Sequence, residues 1–252
     1  MTDRIPASWW RRLRNCSVIL VVGWLIYAVW MHFLVWDVAR EVGHDNDKLT
    51  ILPTPLTDVS IVKLSGLRID RFGFSFLVPW DTAESNRGSK SAESFGFKGG
   101  AFVLIFDTAS AVNTIQMERG ATASDQATMN RMLGPKALRS NYDLMAAAVR
   151  ATPSNVKWWE SRAHNAGAML LLENKSVELA AVKSIHPVTL GSVRGFQFGD
   201  PDVAPCVVSL KLFDDTDRRY WIVINAAAAH HQVITQSEIN GLIASLKRDA
   251  GN

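Results

Sequence analysis

The stretch "SIHPVTLGSVRGFQFGDPDVAPCVVSLKLFDDTDRRYWIVINA", residues 184–226, decides the fold class. Four runs rich in β-branched and aromatic residues are separated by a turn at Gly191, a loop "DPDVAP" and a turn "DDTD", the pattern of four antiparallel strands joined as a meander. Downstream, Thr235 and Glu238 have the spacing of a capping box, and Ile239, Leu242, Ile243 and Leu246 then fall on one helical face. A closing helix should therefore pack on the sheet.

Upstream, "SDQATMNRMLG" and "SNYDLMAAAVRAT" lack a strand's alternation and carry candidate caps at Ser124 and Ser140, so both predict helices. After Pro153, "SNVKWWESRAHNAGAMLLLENKSVELAA" is dominated by helix formers, although 167–173 can also be read as a strand. Nearer the amino end, "VSIVKL" (59–64), "FGFSFLVPW" (72–80) and "AFVLIFD" (101–107) predict strands. The polar "DTAESNRGSKSAESFGFKGG" between the last two reads as a mobile loop. Strands, helices, strands and a final helix define an α+β domain with helices packed against a largely antiparallel sheet, expected over 59–252.

The front of the chain differs. No charge occurs between Arg14 and Asp37, and the twenty residues 17–36 would make a helix of about 30 Å, the hydrocarbon thickness of a bilayer. A secretory signal has a shorter apolar core and a small-residue cleavage site, whereas this run exits through Trp36, so an uncleaved single transmembrane helix is expected. Arg4, Arg11, Arg12 and Arg14 oppose only Asp3 before it, which predicts a cytoplasmic basic tail at 1–16 and an extracytoplasmic carboxyl-terminal domain, periplasmic in a bacterium. Residues 37–58, polar and ending in prolines, read as a stalk.

The chain carries 27 Lys and Arg against 24 Asp and Glu, and its surplus lies entirely in that tail. Nucleic acid is thereby excluded as a partner, since no basic face remains to bind it. Cys16 and Cys206 would lie on opposite sides of a membrane, and Cys206 reads as a small core residue.

Catalytic signatures are missing from the sequence. There is no Gly-x-Ser-x-Gly elbow, no Walker loop and no dinucleotide fingerprint, so no catalytic residue and no cofactor are assigned. His44–Asp47 matches no complete metal motif. His230 and His231 are adjacent, so in extended backbone they point to opposite faces and do not naturally chelate one ion. His32, His164 and His186 stand alone. Trp158 and Trp159 are the candidate partner-binding residues: on a helix they would diverge by about 100°, placing one in the core and the other at the surface.

An early hairpin ending in "FLVPW" (76–80), a middle helical excursion, a meander and the terminal "EINGLIASLKR" (238–248) resemble the PsbP-like α/β/α sandwich. That resemblance implies an extracytoplasmic accessory fold with a binding or assembly role, and it carries no catalytic residue. The leading expectation is a membrane-anchored, non-catalytic protein that binds an envelope protein partner. The alternative is an envelope hydrolase or metal-dependent enzyme using His230 and His231.

Overall fold

A computed structural model describes residues 20–31, 33–34, 36–37, 47–107, 123–157, 159–203, 206–225, 227–228, 231–232 and 234–248. Its centre is a seven-stranded antiparallel sheet in the order β3-β4-β5-β9-β8-β7-β6. The strands are β3 (Ala83–Gly88), β4 (Ala92–Phe97), β5 (Phe102–Phe106), β6 (Ile185–Leu190), β7 (Val193–Phe198), β8 (Val207–Phe213) and β9 (Arg219–Asn225). The four-strand meander expected over 184–226 is thus β6 to β9, and "AFVLIFD" supplies the interior strand β5.

Side-chain alternation splits the core between the two faces of this sheet. Along β8, Val208, Leu210 and Leu212 enter the larger cluster with Ile222 and Ile224 of β9, while Phe213 enters a second cluster with Phe196 and Phe198 of β7. The second face is covered by helices α2 (Asn141–Arg150) and α3 (Arg162–Glu178), with Met145, Val149 and Leu179 packed on the phenylalanines, and α1 (Ala123–Leu133) packs on these helices. Residues 167–173 are therefore helix. The first face is covered by α4 (Gln236–Ala244) and by a small sheet of β1 (Arg68–Arg71), β2 (Phe74–Leu77) and β12 (Lys247–Arg248). A two-stranded pair, β10 (Ala227–Ala228) and β11 (His231–Gln232), completes the elements.

Local chemistry accounts for the ends of the helices. Thr235 Oγ1 accepts from the Glu238 amide at 3.3 Å while Glu238 Oε2 accepts from the Thr235 amide at 2.8 Å, the expected capping box. The helix stops at Ala244, two residues before Leu246, because Lys247 and Arg248 leave to pair with Ser75 and Phe74. Ser140 caps α2 as expected, its Oγ accepting from the Asp143 amide at 3.0 Å. Ser124 lies inside α1 rather than at its cap.

A second cap on α2 comes from the β8–β9 turn, where Asp217 accepts from the Asn141 and Tyr142 amides, the latter at 3.1 Å. A carboxylate there satisfies two free donors and complements the helix dipole. Asp217→Ala should lower the unfolding free energy by about 1 to 2 kcal/mol in urea titration, with the secondary structure unchanged.

Three sequence expectations are corrected. First, among the described residues no helix is long and apolar enough to cross a membrane. The transmembrane helix, the single-pass class and the integral membrane partnering expected from 17–36 are overturned by this finding, and 1–19 lie outside the described residues. The expectation rested on the length of the apolar run alone.

Second, 81–100 is no loop but the β3–β4 hairpin, paired from Ala83 opposite Phe97 to Gly88 opposite Glu93 with a one-residue register shift between Ala83 and Ser85. Its first arm is an exposed edge strand, so polar residues are tolerated along its whole length. Third, "VSIVKL" is extended but belongs to no sheet. It runs over α4, where the Val62 amide donates to Ser237 O at 3.2 Å and Leu64 enters the core. Gly241 permits that crossing, because a Cβ there would stand 2.2 Å from Val62 O.

Candidate interaction surface

The segment from Asp47 to Leu64, expected largely as a stalk, is built into the domain. Leu49 is 1% exposed and sits with Ala151, Val156, Ala168 and Leu172 between α2 and α3. Lys48 Nζ donates to Leu179 O at 3.0 Å and Ala180 O at 2.8 Å, covering carbonyls at the end of α3 where a cation also suits the dipole. Beneath it, the wholly buried Lys175 Nζ donates to Leu49 O at 2.9 Å and Ala151 O at 2.7 Å.

Farther along, the Thr54 amide donates to Ile185 O at 2.9 Å, which places one rung of the segment on the outer edge of β6. Thr54 O in turn faces His186 Nδ1 at 2.9 Å. His186 does not stand alone in the fold: its Nε2 lies 2.9 Å from Asp200 Oδ1, and Ser184 Oγ donates to Asp200 Oδ2 at 2.6 Å. The Nε2 contact is electrostatic rather than a directed hydrogen bond. Asp200 lies between serine and imidazole, so the Ser184 hydroxyl faces a carboxylate instead of the imidazole and the trio lacks the order of a Ser-His-Asp triad. Its effect is to clamp 51–56 to β6.

Apolar side chains of the segment face outward both before and after Pro55. Leu52 is 51% exposed, Val59 74%, Ile61 52% and Val62 45%. Asn240 of α4 holds the backbone below them, donating to Asp58 O at 3.1 Å and Ser60 O at 2.8 Å. Asn240 is itself fixed by Gln236 Nε2, which also donates to Gln197 Oε1 at 2.9 Å, so a buried amide ladder sets the height of the strip. Beside the strip lies a recess of about 200 Å³ lined by Leu56, Val59, Pro187, Val188 and Leu190. A second recess of about 210 Å³ lies near Lys48, Lys183, Ser184 and Asp200. Both are smaller than the roughly 300 to 1,000 Å³ common for small-molecule pockets.

The sequence candidates fall as follows. Trp159 is 64% exposed, in a turn rather than on a helix, with Lys157 Nζ 5.7 Å from its ring centroid. Trp158 and His230 lie outside the described residues, as do His44 and Cys16. His231 is in β11. Among the described residues no group of three or more His, Cys, Asp or Glu side chains could hold a metal ion. Cys206 is half-buried against the larger core.

Sequence reasoning missed the ionic groups beneath the helices. Lys211 Nζ lies 3.1 Å from Glu178 Oε1 and 3.0 Å over the Trp221 ring, which stacks on Phe106 at 3.9 Å. The lysine occupies the helix-facing register of β8, as alternation from Leu210 and Leu212 would have shown. Burial lowers Lys175 to about 8 and Lys211 to about 8, with Glu178 partly offsetting the latter.

Both lysines therefore hold their protons less tightly folded than unfolded. Between about pH 8 and pH 10 the unfolded chain binds more protons, so stability should rise with pH across that window and fall as pH drops back through 8. Tyr220 opposes this only in more alkaline solution, since burial and Asp214 hold its hydroxyl protonated. Urea midpoints from pH 7.5 to 9.5 measure the slope, which Lys175→Met and Lys211→Met should flatten.

No family model, no curated protein and no solved structure matches this chain. The functional reading accordingly rests on its own surface.

Proposed function

We propose that this chain is a non-catalytic binding or assembly-accessory protein that engages a protein partner through the strip from Leu52 to Val62. The observation that carries this reading is the exposure of Val59, Ile61 and Val62 on a backbone that Asn240 holds at Asp58 and Ser60, with Leu52 exposed farther back in the same segment. Contiguous apolar surface on a fixed backbone costs little ordering entropy when a partner covers it. Helical residues Leu20, Trp24, Ile26 and Val29 add further exposed apolar surface. Trp159 offers an exposed indole of the kind that anchors interfaces. The PsbP-like resemblance points to the same class of role.

The test is a paired substitution, Val59→Asp with Ile61→Asp. Both side chains are exposed, so thermal unfolding should stay within about 0.5 kcal/mol of the parent. Partner co-purification should fall at least tenfold, and Trp159→Ala should give a smaller loss of the same kind. Unchanged co-purification with either variant, together with a turnover activity lost on His230→Gln and His231→Gln, would favour the hydrolase alternative.

A further inference from the structure

The outer edge of β6 has a definite pairing state. Gly191 and Ser192 form the two-residue connection to β7, with Leu190 opposite Val193, and the Gly199 amide donates to Ser184 O at 3.0 Å at the other end. Antiparallel pairs alternate between hydrogen-bonded and open, so Ser184, His186, Val188 and Leu190 direct their backbone groups to β7. Ile185, Pro187 and Thr189 direct theirs outward. Of these, Ile185 O is taken by the Thr54 amide. Beyond Thr54 the segment stays beside β6, with Pro55, Leu56 and Val59 across a recess from Pro187–Leu190, but among the described residues no further backbone hydrogen bond joins the two, so the Pro187 carbonyl and the Thr189 N–H and carbonyl form a short open ladder.

We propose that this open edge from Pro187 to Leu190 receives an extended segment of a partner polypeptide, added as a further strand, with one aliphatic side chain seated in the recess between Leu56, Val59, Val188 and Leu190. The inference rests on the binding reading above and names its site. Three features select this occupant. The open groups alternate along a strand, so a backbone complements them and a small apolar molecule does not. The Thr54 rung shows that the edge already accepts extended chain, and the partner would continue that pairing from where the protein's own segment stops pairing. The recess, about 200 Å³ and apolar, lies beside Thr189 and has room for one branched side chain. Pro187 removes one donor but leaves its carbonyl, which limits indiscriminate edge pairing while permitting a short, side-chain-selected addition.

The experiment uses the full chain and a pool of short peptides alternating Thr with Val, Ile or Leu, read by amide hydrogen exchange and by anisotropy of labelled peptide. The Thr189 amide should exchange at least tenfold more slowly with peptide present, and peptides N-methylated at alternate positions should give no protection. Thr189→Pro should keep the parent melting temperature, because that N–H makes no internal hydrogen bond, yet weaken peptide binding at least tenfold. Val59→Asp should do likewise by charging the rim of the recess. Protection confined to the turn at Lys157–Glu160, untouched by Thr189→Pro, would overturn the edge site while leaving the binding reading in place. Protection of Thr189 without peptide, rising with protein concentration alongside a dimer in sedimentation, would replace the partner by a second copy and overturn the assignment. Absence of peptide binding in every form also overturns the edge site. The binding reading itself falls only if the Val59 and Ile61 substitutions leave partner co-purification intact.

Discussion

A chain beginning at Asp58 should unfold at least 4 kcal/mol more easily than the full protein, or fail to fold, when measured by urea titration. The boundary near Val59 suggested by the two prolines cuts through packing that the domain uses. Removing Leu49 opens a cavity between α2 and α3, and loss of a buried leucine alone costs about 2 to 5 kcal/mol. Lys175 also loses one of its two carbonyl partners while remaining buried, a further cost of about 1 to 3 kcal/mol. Lys48 and Thr54 leave carbonyls at Leu179, Ala180 and Ile185 without donors. A chain beginning at Asp47 keeps all of these contacts and gives up the packing of the half-buried Trp36 on the Leu49 cluster, so its stability should lie closer to the parent than to the chain beginning at Asp58. Equal stability of the two truncated forms would show that the segment only rests on the domain.

The second large effect is expected at Lys175, whose side chain leaves α3 with no exposure and ends between Leu49 O and Ala151 O. Lys175→Ala deletes an apolar stem and leaves two buried carbonyls without a donor, so a loss of about 3 to 5 kcal/mol is expected. Lys175→Met separates the contributions. It keeps most of the stem and removes a group whose charge burial disfavours, so its cost should be about half that of alanine. Because Lys175 fastens Leu49 to the end of α2, the alanine variant should also speed amide exchange over 48–54 before global unfolding does. A methionine variant as unstable as alanine would assign the whole effect to the hydrogen bonds.

Elements whose period was set by one buried face were legible in the sequence. The meander from Ser184, the capped α4 and the helix after Ser140 followed from alternation or caps, and α3 from the helix formers after Pro153, without its cap at Ser161 being seen. The β3–β4 hairpin was obscured because β3 is an edge with no buried face, although Phe95 and Phe97 carried a period of two in its second arm. Residues 59–64 had strand composition, yet their partner is a helix made accessible by Gly241, which depends on contact distant in sequence. The same reason hid the site. The strip owes its position to Asn240, and the open edge to the end of backbone pairing at Thr54, neither of which local propensity encodes. The sequence named Trp158 and Trp159 together without saying which one reaches the surface; Trp159 is exposed, on a turn instead of the expected helix.

The central claim is that the strip from Leu52 to Val62 meets a protein partner, and site-specific photo-crosslinking in the producing cell tests it most directly. A photoreactive phenylalanine at position 61 should give one dominant crosslinked species, reproduced from position 59 and suppressed by Thr189→Pro if the same partner also occupies the edge of β6. The same group at Asn86, on the exposed polar edge strand β3, should give none. Identical crosslinks from positions 61 and 86, or none from 59 and 61 while the protein is fully active in the cell, would contradict the account.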